Sequence, residues 1–301
     1  MRNLLKLSII FLVILTMESC KTESKKTIED LKTNIVNDIS KIDGDVAIAL
    51  YDLNNESNTI TININETFHA ASTMKVPVMI ELYKQQNEGL LNLNDSIVLV
   101  NEFKSIVDGS SYSMDIGDDS DDIIYSKIGT KQTLYDLMVP MITVSSNLAT
   151  NVLIEIVEAK KVTQTMRSLG ADNIEVLRGV EDQKAYDLGL SNSTTANDLL
   201  AIMKAIANGE AGTKEDCDAM IAILKDQNWN DMIPKYLPET VEVAHKTGSI
   251  TGVHHDAAIV YLPDGGQYVL VLLSKNLSDF DAGTDQLAQI SKTIYDYMIK
   301  N

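Results

Sequence analysis

Phe68-His69-Ala70-Ala71-Ser72-Thr73-Met74-Lys75 stands where the patterning of the chain changes from strand-like to helical, and it carries a serine and a lysine three residues apart. On one helical turn that spacing puts both side chains on the same face, so the amine reaches the hydroxyl. A serine hydroxyl is a weak nucleophile until a neighbouring base takes its proton, and a lysine serves as that base only if burial or nearby positive charge lowers its pKa. Alone the motif says little, because about one S-x-x-K arises by chance in a chain of this length. It occurs once here.

Upstream of this stretch, Ile28, Leu31, Ile35 and Ile39 recur at helical spacing after Thr27. Two apolar runs follow, Val46 to Leu53 and Thr59 to Ile64, separated by the turn residues Asn54-Asn55-Glu56-Ser57, which predicts a hairpin. Downstream, Ser72 to Asp226 reads as helices and connecting loops, with Leu137, Met141, Leu148 and Leu153 as core positions. β-type patterns return at Thr240 to His245, Ala257 to Leu262 and Gln267 to Leu273, the last two flanking Pro263-Asp264-Gly265-Gly266. A helix from about Thr284 to Ile299 closes the chain. The expected fold class is therefore α/β in the broad sense (α+β). Residues 27–71 and 227–301 form an antiparallel sheet with flanking helices, and the mainly helical residues 72–226 are inserted between them as part of one catalytic domain.

Composition agrees with a packed protein: 301 residues, 45% hydrophobic and 23% charged, with 5 Pro and 15 Gly, which excludes disordered, collagenous and disulfide-framework classes. With 25 Lys and Arg against 43 Asp and Glu, the net charge of −18 argues against nucleic acid as a partner.

Arg2 and Lys6 precede the apolar run Leu7 to Met17, too short to span a bilayer comfortably, so residues 1–19 read as an export signal. The signal ends in Met17-Glu18-Ser19-Cys20, which resembles a bacterial lipobox, although Glu18 departs from that pattern. The expectation is a lipid on Cys20, a polar tether over residues 20–26, and a monomer attached to a bacterial membrane in the cell envelope. The other cysteine, Cys217, fits a small buried helix residue.

Between Asn101 and Lys127 seven acidic residues, Glu102, Asp108, Asp115, Asp118, Asp119, Asp121 and Asp122, face only Lys104 and Lys127. The segment lacks the alternating ligands and terminal Glu of a calcium loop, so a solvated acidic loop is expected. No cofactor or metal is expected either.

Two further tripeptides complete the pattern: Ser145-Ser146-Asn147, between helical segments, and Lys246-Thr247-Gly248, followed by Ser249, at the end of a strand-like run. In the order S-x-x-K, S-x-N, K-T-G, and with Ile233-Pro234 through Leu237-Pro238 ahead of the third motif, the chain resembles the penicillin-recognising serine enzymes, class A β-lactamases in particular. The resemblance implies that Ser72 attacks the lactam or peptide carbonyl, with Lys75 as its base directly or through a water held by Glu181. It implies that Ser145 relays a proton to the leaving nitrogen, and that Asn147 binds the substrate's side-chain amide. Lys246 and Thr247 would hold its carboxylate, Ser72 and Ser249 N–H groups would form the oxyanion hole, and Gly248 would allow close approach of the strand.

Glu181 lies where the family places its deacylating carboxylate, with Asp182 and Asp187 as weaker alternatives. The chain departs from class A at two positions: Ala185 replaces the Asn four residues after that Glu, and Ser146 replaces an Asp. Serine β-lactamase is thus the first expectation. A DD-peptidase acting on peptidoglycan-like substrates, a related amidase or esterase, or a slowly deacylating β-lactam-binding protein stand as alternatives. His254 and His255 are expected in a loop or strand without a zinc role, and His69 in packing. Trp229 and Tyr236 are left between cleft wall and core.

Overall fold

The structure is a computed structural model describing residues 27–300. The export signal, Cys20, the tether up to residue 26 and the final residue lie outside the described residues. Helix α1 (Ile28–Ile39) starts at Thr27, whose hydroxyl accepts the Asp30 N–H while the Asp30 carboxylate accepts the Thr27 N–H. Strands β1 (Asp45–Asp52) and β2 (Thr59–Ile62) form the expected hairpin. The chain then passes through a run of helices: α2 (Lys75–Asn87), α3 (Leu134–Thr143), α4 (Asn147–Val157), α5 (Ala159–Ser168), α6 (Gln183–Asp187), α7 (Ala196–Ala207) and α8 (Lys214–Lys225). It returns through β3 (Val243–Ile250), β4 (Val253–Tyr261) and β5 (Gln267–Lys275) to α9 (Phe280–Met298).

The five strands form one antiparallel sheet in the order β2-β1-β5-β4-β3, so strands from both ends of the chain meet where β1 pairs with β5. Period-two alternation gives the sheet two apolar faces. Ile48, Leu50, Ala258, Val260, Leu270 and Leu272 pack with Leu31 and Ile35 of α1 and with Leu287, Ile290 and Ile294 of α9. The intervening Ala47, Ala49, Ala257, Ile259, Val269 and Val271 face the other way, into a core shared with the helical region. Leu137, Met141, Leu148 and Leu153 are buried in that second core, as read from the sequence, and Cys217 is buried in it too. At its centre α2 is buried on nearly every side, which carries Lys75 into the interior.

Several elements differ from the sequence reading. The first C-terminal strand does not stop near His245 but continues through the K-T-G triplet to Ile250. A tight turn at Thr251-Gly252, with Gly252 at φ +70°, then leads straight into β4 at Val253. Helix α9 starts at Phe280 rather than Thr284, because the Asp279 side chain accepts the Ala282 N–H and caps it four residues earlier. Within the segment expected to be helix and loop, short ribbons pair Ser96–Val98 with Lys131–Thr133 and Phe103–Lys104 with Ser111–Tyr112. Among the described residues no helix is long and apolar enough to cross a membrane.

Candidate active site

Ser72 lies in a 3-10 turn, Ala71–Met74, that runs directly into α2 at Lys75. A 3-10 turn eclipses residues i and i+3, so the Ser72 and Lys75 side chains leave the backbone on the same face. Entry to the turn is strained: Ala71 has φ +45°, a conformation unfavourable for a residue with a Cβ. Its amide is held by the His69 ring, whose Nδ1 accepts the Ala71 N–H at 3.0 Å, and His69 is held in turn by His255 Nε2, 2.9 Å from its carbonyl oxygen. The Ser274 N–H donates to His255 Nδ1 at 3.2 Å, which leaves the proton on Nε2 to make that bond. His69 and His255 thus brace the nucleophile turn. Burial lowers the pKa of both rings, that of His255 to about 4, which keeps them neutral.

The second motif follows the end of α3. Pro140 lies inside that helix, and its carbonyl accepts the N–H groups of both Val144 and Ser146. This tightens the chain so that Ser145 takes φ +64° and enters the cleft. Lys75 Nζ donates to the Ser145 carbonyl (2.8 Å), to Ser145 Oγ (3.1 Å) and to Asn147 Oδ1 (2.8 Å). Lys246 Nζ also reaches Ser145 Oγ, at 3.0 Å, and the Thr247 carbonyl, at 3.0 Å. One hydroxyl therefore sits between two lysines, its lone pairs facing the amines and its proton available to the cleft. Both lysines are 0% exposed. Burial is the main cause that brings Lys75 down to about 7, with Asp119 and Glu181 pulling the other way. It also lowers Lys246 well below the ordinary lysine value, and Lys75 adds to that effect.

Gly248 presses β3 against the nucleophile turn: a Cβ there would lie 2.9 Å from the Ser72 nitrogen and 3.0 Å from the Thr73 nitrogen. On the far wall Glu181, at φ +61°, lines a cavity of about 260 Å3 together with Ser72, Asn147, Gln183, Tyr186 and Ser249. Its pKa is raised, first by desolvation and then by Asp118, while Arg178 and Lys75 oppose the shift. Asp182 is engaged otherwise. Buried, it accepts from Ser105 Oγ (2.9 Å), from the Ile106 N–H (2.9 Å) and from the Ala185 N–H that starts α6 (3.1 Å). Asp187 is exposed and receives the Gln183 side chain. Asn151 clamps the same loop by accepting the Val180 N–H and donating to the Val180 carbonyl. Ala185 is fully buried, so a methyl group stands where the resemblance places a water-holding amide.

The acidic segment is solvated over much of its length, with Glu102, Asp108, Asp115, Asp118 and Asp122 exposed, but Asp119 turns inward. Asp119 reaches the start of α4, where Oδ1 accepts the Asn147 N–H at 2.9 Å and Oδ2 accepts the Leu148 N–H at 2.8 Å, with the Tyr125 hydroxyl at 3.1 Å. A carboxylate against two unpaired amides at a helix N-terminus is a stabilising cap. Here it also fixes Asn147, which holds Lys75. Asp108 and Asp115 bond backbone N–H groups of the segment itself. Among the described residues no group of three or more His, Cys, Asp or Glu is placed to hold a metal ion.

Trp229 is a cleft wall, its indole N–H donating to the Val144 carbonyl. Tyr236 is neither cleft wall nor core: it is exposed and bonds Asp285. His254 and His255 lie in β4. Asp119, Asp231 and Ser120, all at the cleft, were missed as site residues.

Fold and site together define a serine hydrolase. The chain belongs to the β-lactamase enzyme family, which matches residues 28–298. A β-lactamase of Bacillus amyloliquefaciens is 26% identical over 258 residues, covering 84% of this chain and 79% of the relative. The crystal structure of a β-lactamase from Sphaerobacter thermophilus superimposes with a TM-score of 0.75 at 27% identity, covering 88% of this chain and 96% of that one. A mutant of PBP-A, solved as its acyl-enzyme complex with penicillin G, has a TM-score of 0.76 at 23% identity, covering 92% and 99%.

Proposed function

We propose that the protein is a serine β-lactamase that opens β-lactam antibiotics through an acyl-enzyme on Ser72. The observation that carries this reading is the Ser145 hydroxyl between the buried lysines Lys75 and Lys246, beside the Ser72 turn. As the ammonium, Lys75 donates its three protons to Ser145 and Asn147. The neutral amine keeps two of them, and its lone pair takes the Ser72 proton as Oγ attacks the lactam carbonyl, while the oxyanion forms against the Ser72 and Ser249 N–H groups. The C–N bond then breaks, and the Ser145 hydroxyl passes its proton to the departing nitrogen while Lys75 replaces it. Lys246 and Thr247 receive the substrate carboxylate, whose negative charge favours the protonated form of the buried amine. Asn147 receives the acyl-side amide. A water activated by Glu181 then hydrolyses the ester.

Because Lys75 must be neutral to act as base, acylation should fall about tenfold per pH unit below about 7, and stopped-flow acylation from pH 5 to 8 measures that limb. A flat profile would remove Lys75 as the base. Intact-mass spectrometry with benzylpenicillin tests the function itself: a transient adduct supports hydrolysis, and no adduct overturns the scheme. The buried Ala185 methyl favours a second reading, a penicillin-binding peptidase or slow binder, in which the adduct persists. Glu181→Ala separates the two. In a hydrolase it should slow deacylation about 10²- to 10⁴-fold while acylation stays measurable, whereas unchanged deacylation would take Glu181 out of the mechanism.

The proposal includes export and a lipid on Cys20, supported by the apolar run Leu7 to Met17 and the Met17-Glu18-Ser19-Cys20 sequence. Cys20→Ser should move the protein from the membrane fraction to the soluble one, and unchanged fractionation would count against the anchor.

A further inference from the structure

Two cavities meet at Ser72, and the residues around them divide the substrate. The first holds Asn147, Glu181 and Gln183, the acyl side. The second, about 270 Å3, is lined by Ser145, Thr247, Gly248 and Ser249 and closed by Trp229, Asp231, His254, Phe280 and Ser120. Ser145 faces the leaving nitrogen and Thr247 the carboxylate, so the second cavity receives whatever the carboxylate-bearing ring carries next to that carboxylate.

We propose that this second cavity selects β-lactams whose ring substituent beside the carboxylate is an aromatic cation, stacked on Trp229 and paired with the Asp231 carboxylate. The inference rests on the β-lactamase reading above and names a substrate class for it.

The geometry supplies both halves of such a site. Trp229 is fixed as a wall: its ring N–H bonds the Val144 carbonyl at 3.3 Å and its backbone N–H bonds Gln227 Oε1 at 3.2 Å, yet 47% of the residue stays exposed. A pre-set indole face attracts a flat cation through its quadrupole and stacks on it without loss of side-chain freedom. The Asp231 side chain is 54% exposed, and among the described residues no lysine or arginine lies within ion-pair distance of it. Its charged neighbour by type is His254, whose Nε2 is 3.9 Å away. That ring is buried, bonded through Nδ1 to Thr284 Oγ1 at 2.8 Å and stacked on Phe280 at 4.9 Å. Burial lowers its pKa, against the pull of Asp231 and Asp256, which favours the uncharged ring. The positive groups of the cleft, Lys75 and Lys246, are fully buried and bonded to Ser145 and to the Thr247 carbonyl, and neither lines this cavity. The cavity therefore places an anion and an aromatic face just beyond the carboxylate site.

Cephaloridine and cephalothin share one acyl chain and differ in a pyridiniomethyl or acetoxymethyl group beside the carboxylate. Single-turnover acylation by both compounds, in wild type, Asp231→Asn and Trp229→Phe, gives the preference of each protein as a ratio in which intrinsic reactivity cancels between proteins. The expected result is a ratio about 3- to 10-fold lower in Asp231→Asn than in wild type, smaller in wild type at 0.5 M salt than at low salt, and largely kept in Trp229→Phe, which retains an aromatic face. The same ratio in wild type and Asp231→Asn overturns the proposal while leaving the acyl-enzyme reading intact. Failure of wild type to form an adduct with either compound overturns both.

Discussion

Ser72→Ala is expected to abolish covalent labelling by a fluorescent penicillin and to cut hydrolysis on the order of 10⁶-fold, the scale on which loss of the nucleophile of a catalytic serine unit is felt. The hydroxyl is half-buried at the cleft, and the turn that carries it is held by other groups: His69 on the Ala71 amide, and Thr73, whose N–H and hydroxyl both donate to the Ala70 carbonyl. The melting temperature should therefore stay within a few degrees of wild type. Gel fluorescence after labelling and a thermal melt make the measurement. A labelled Ser72→Ala protein would overturn the assignment of the nucleophile.

Gly248→Ala should be the next most damaging change, with acylation reduced about 10²-fold for a single added methyl. The new Cβ would lie 2.9 Å from the Ser72 nitrogen, 3.0 Å from the Thr73 nitrogen and 3.2 Å from the Ala71 Cβ. Two of these atoms are backbone, so no side-chain rotation relieves the contact, and β3 and the nucleophile turn must separate. That separation carries Lys246 and Thr247 away from Ser72, and the methyl covers the Ser72 N–H, which the proposed mechanism gives to the oxyanion. An overpacked site of this kind also destabilises by about 1–3 kcal/mol. Stopped-flow acylation with a thermal melt distinguishes the two effects, and wild-type acylation would show that β3 has more room than the geometry gives it.

The S-x-x-K, S-x-N and K-T-G motifs were legible because each is local, and the fold class because its elements are periodic. The strand ends were not legible, because β4 carries His254, His255 and Asp256 in succession, a polar run that fits loop or strand alike. In the folded protein all three are buried and satisfied by distant partners: Thr284 for His254, the His69 carbonyl for His255, and His245 with the Ile233 N–H for Asp256. Such partners are set by tertiary packing, which overrides the local pattern. Asp119 was hidden for a related reason. It is one of seven acids in a short segment, and what distinguishes it is the pair of amides at residues 147 and 148, visible only once the chain has folded back. His69 could have been found from the sequence only by knowing that Ala71 takes a positive φ.

The segment from Asn101 to Lys127 touches both sides of the cleft. Ser105 and Ile106 hold Asp182 at the base of the Glu181 loop, while Asp119 holds the first turn of α4, and with it Asn147. The spacing between the Glu181 loop and the start of α4 is thus set by the length of one connecting stretch of chain. Amide hydrogens at Ile106, Asn147 and Leu148 should exchange with solvent as one unit, since the carboxylates that protect them belong to one braced frame. An insertion or deletion between Ser105 and Asp119 would accordingly act as a gauge, altering the width of the cleft, and the size of substrate it admits, without replacing any residue that takes part in the chemistry.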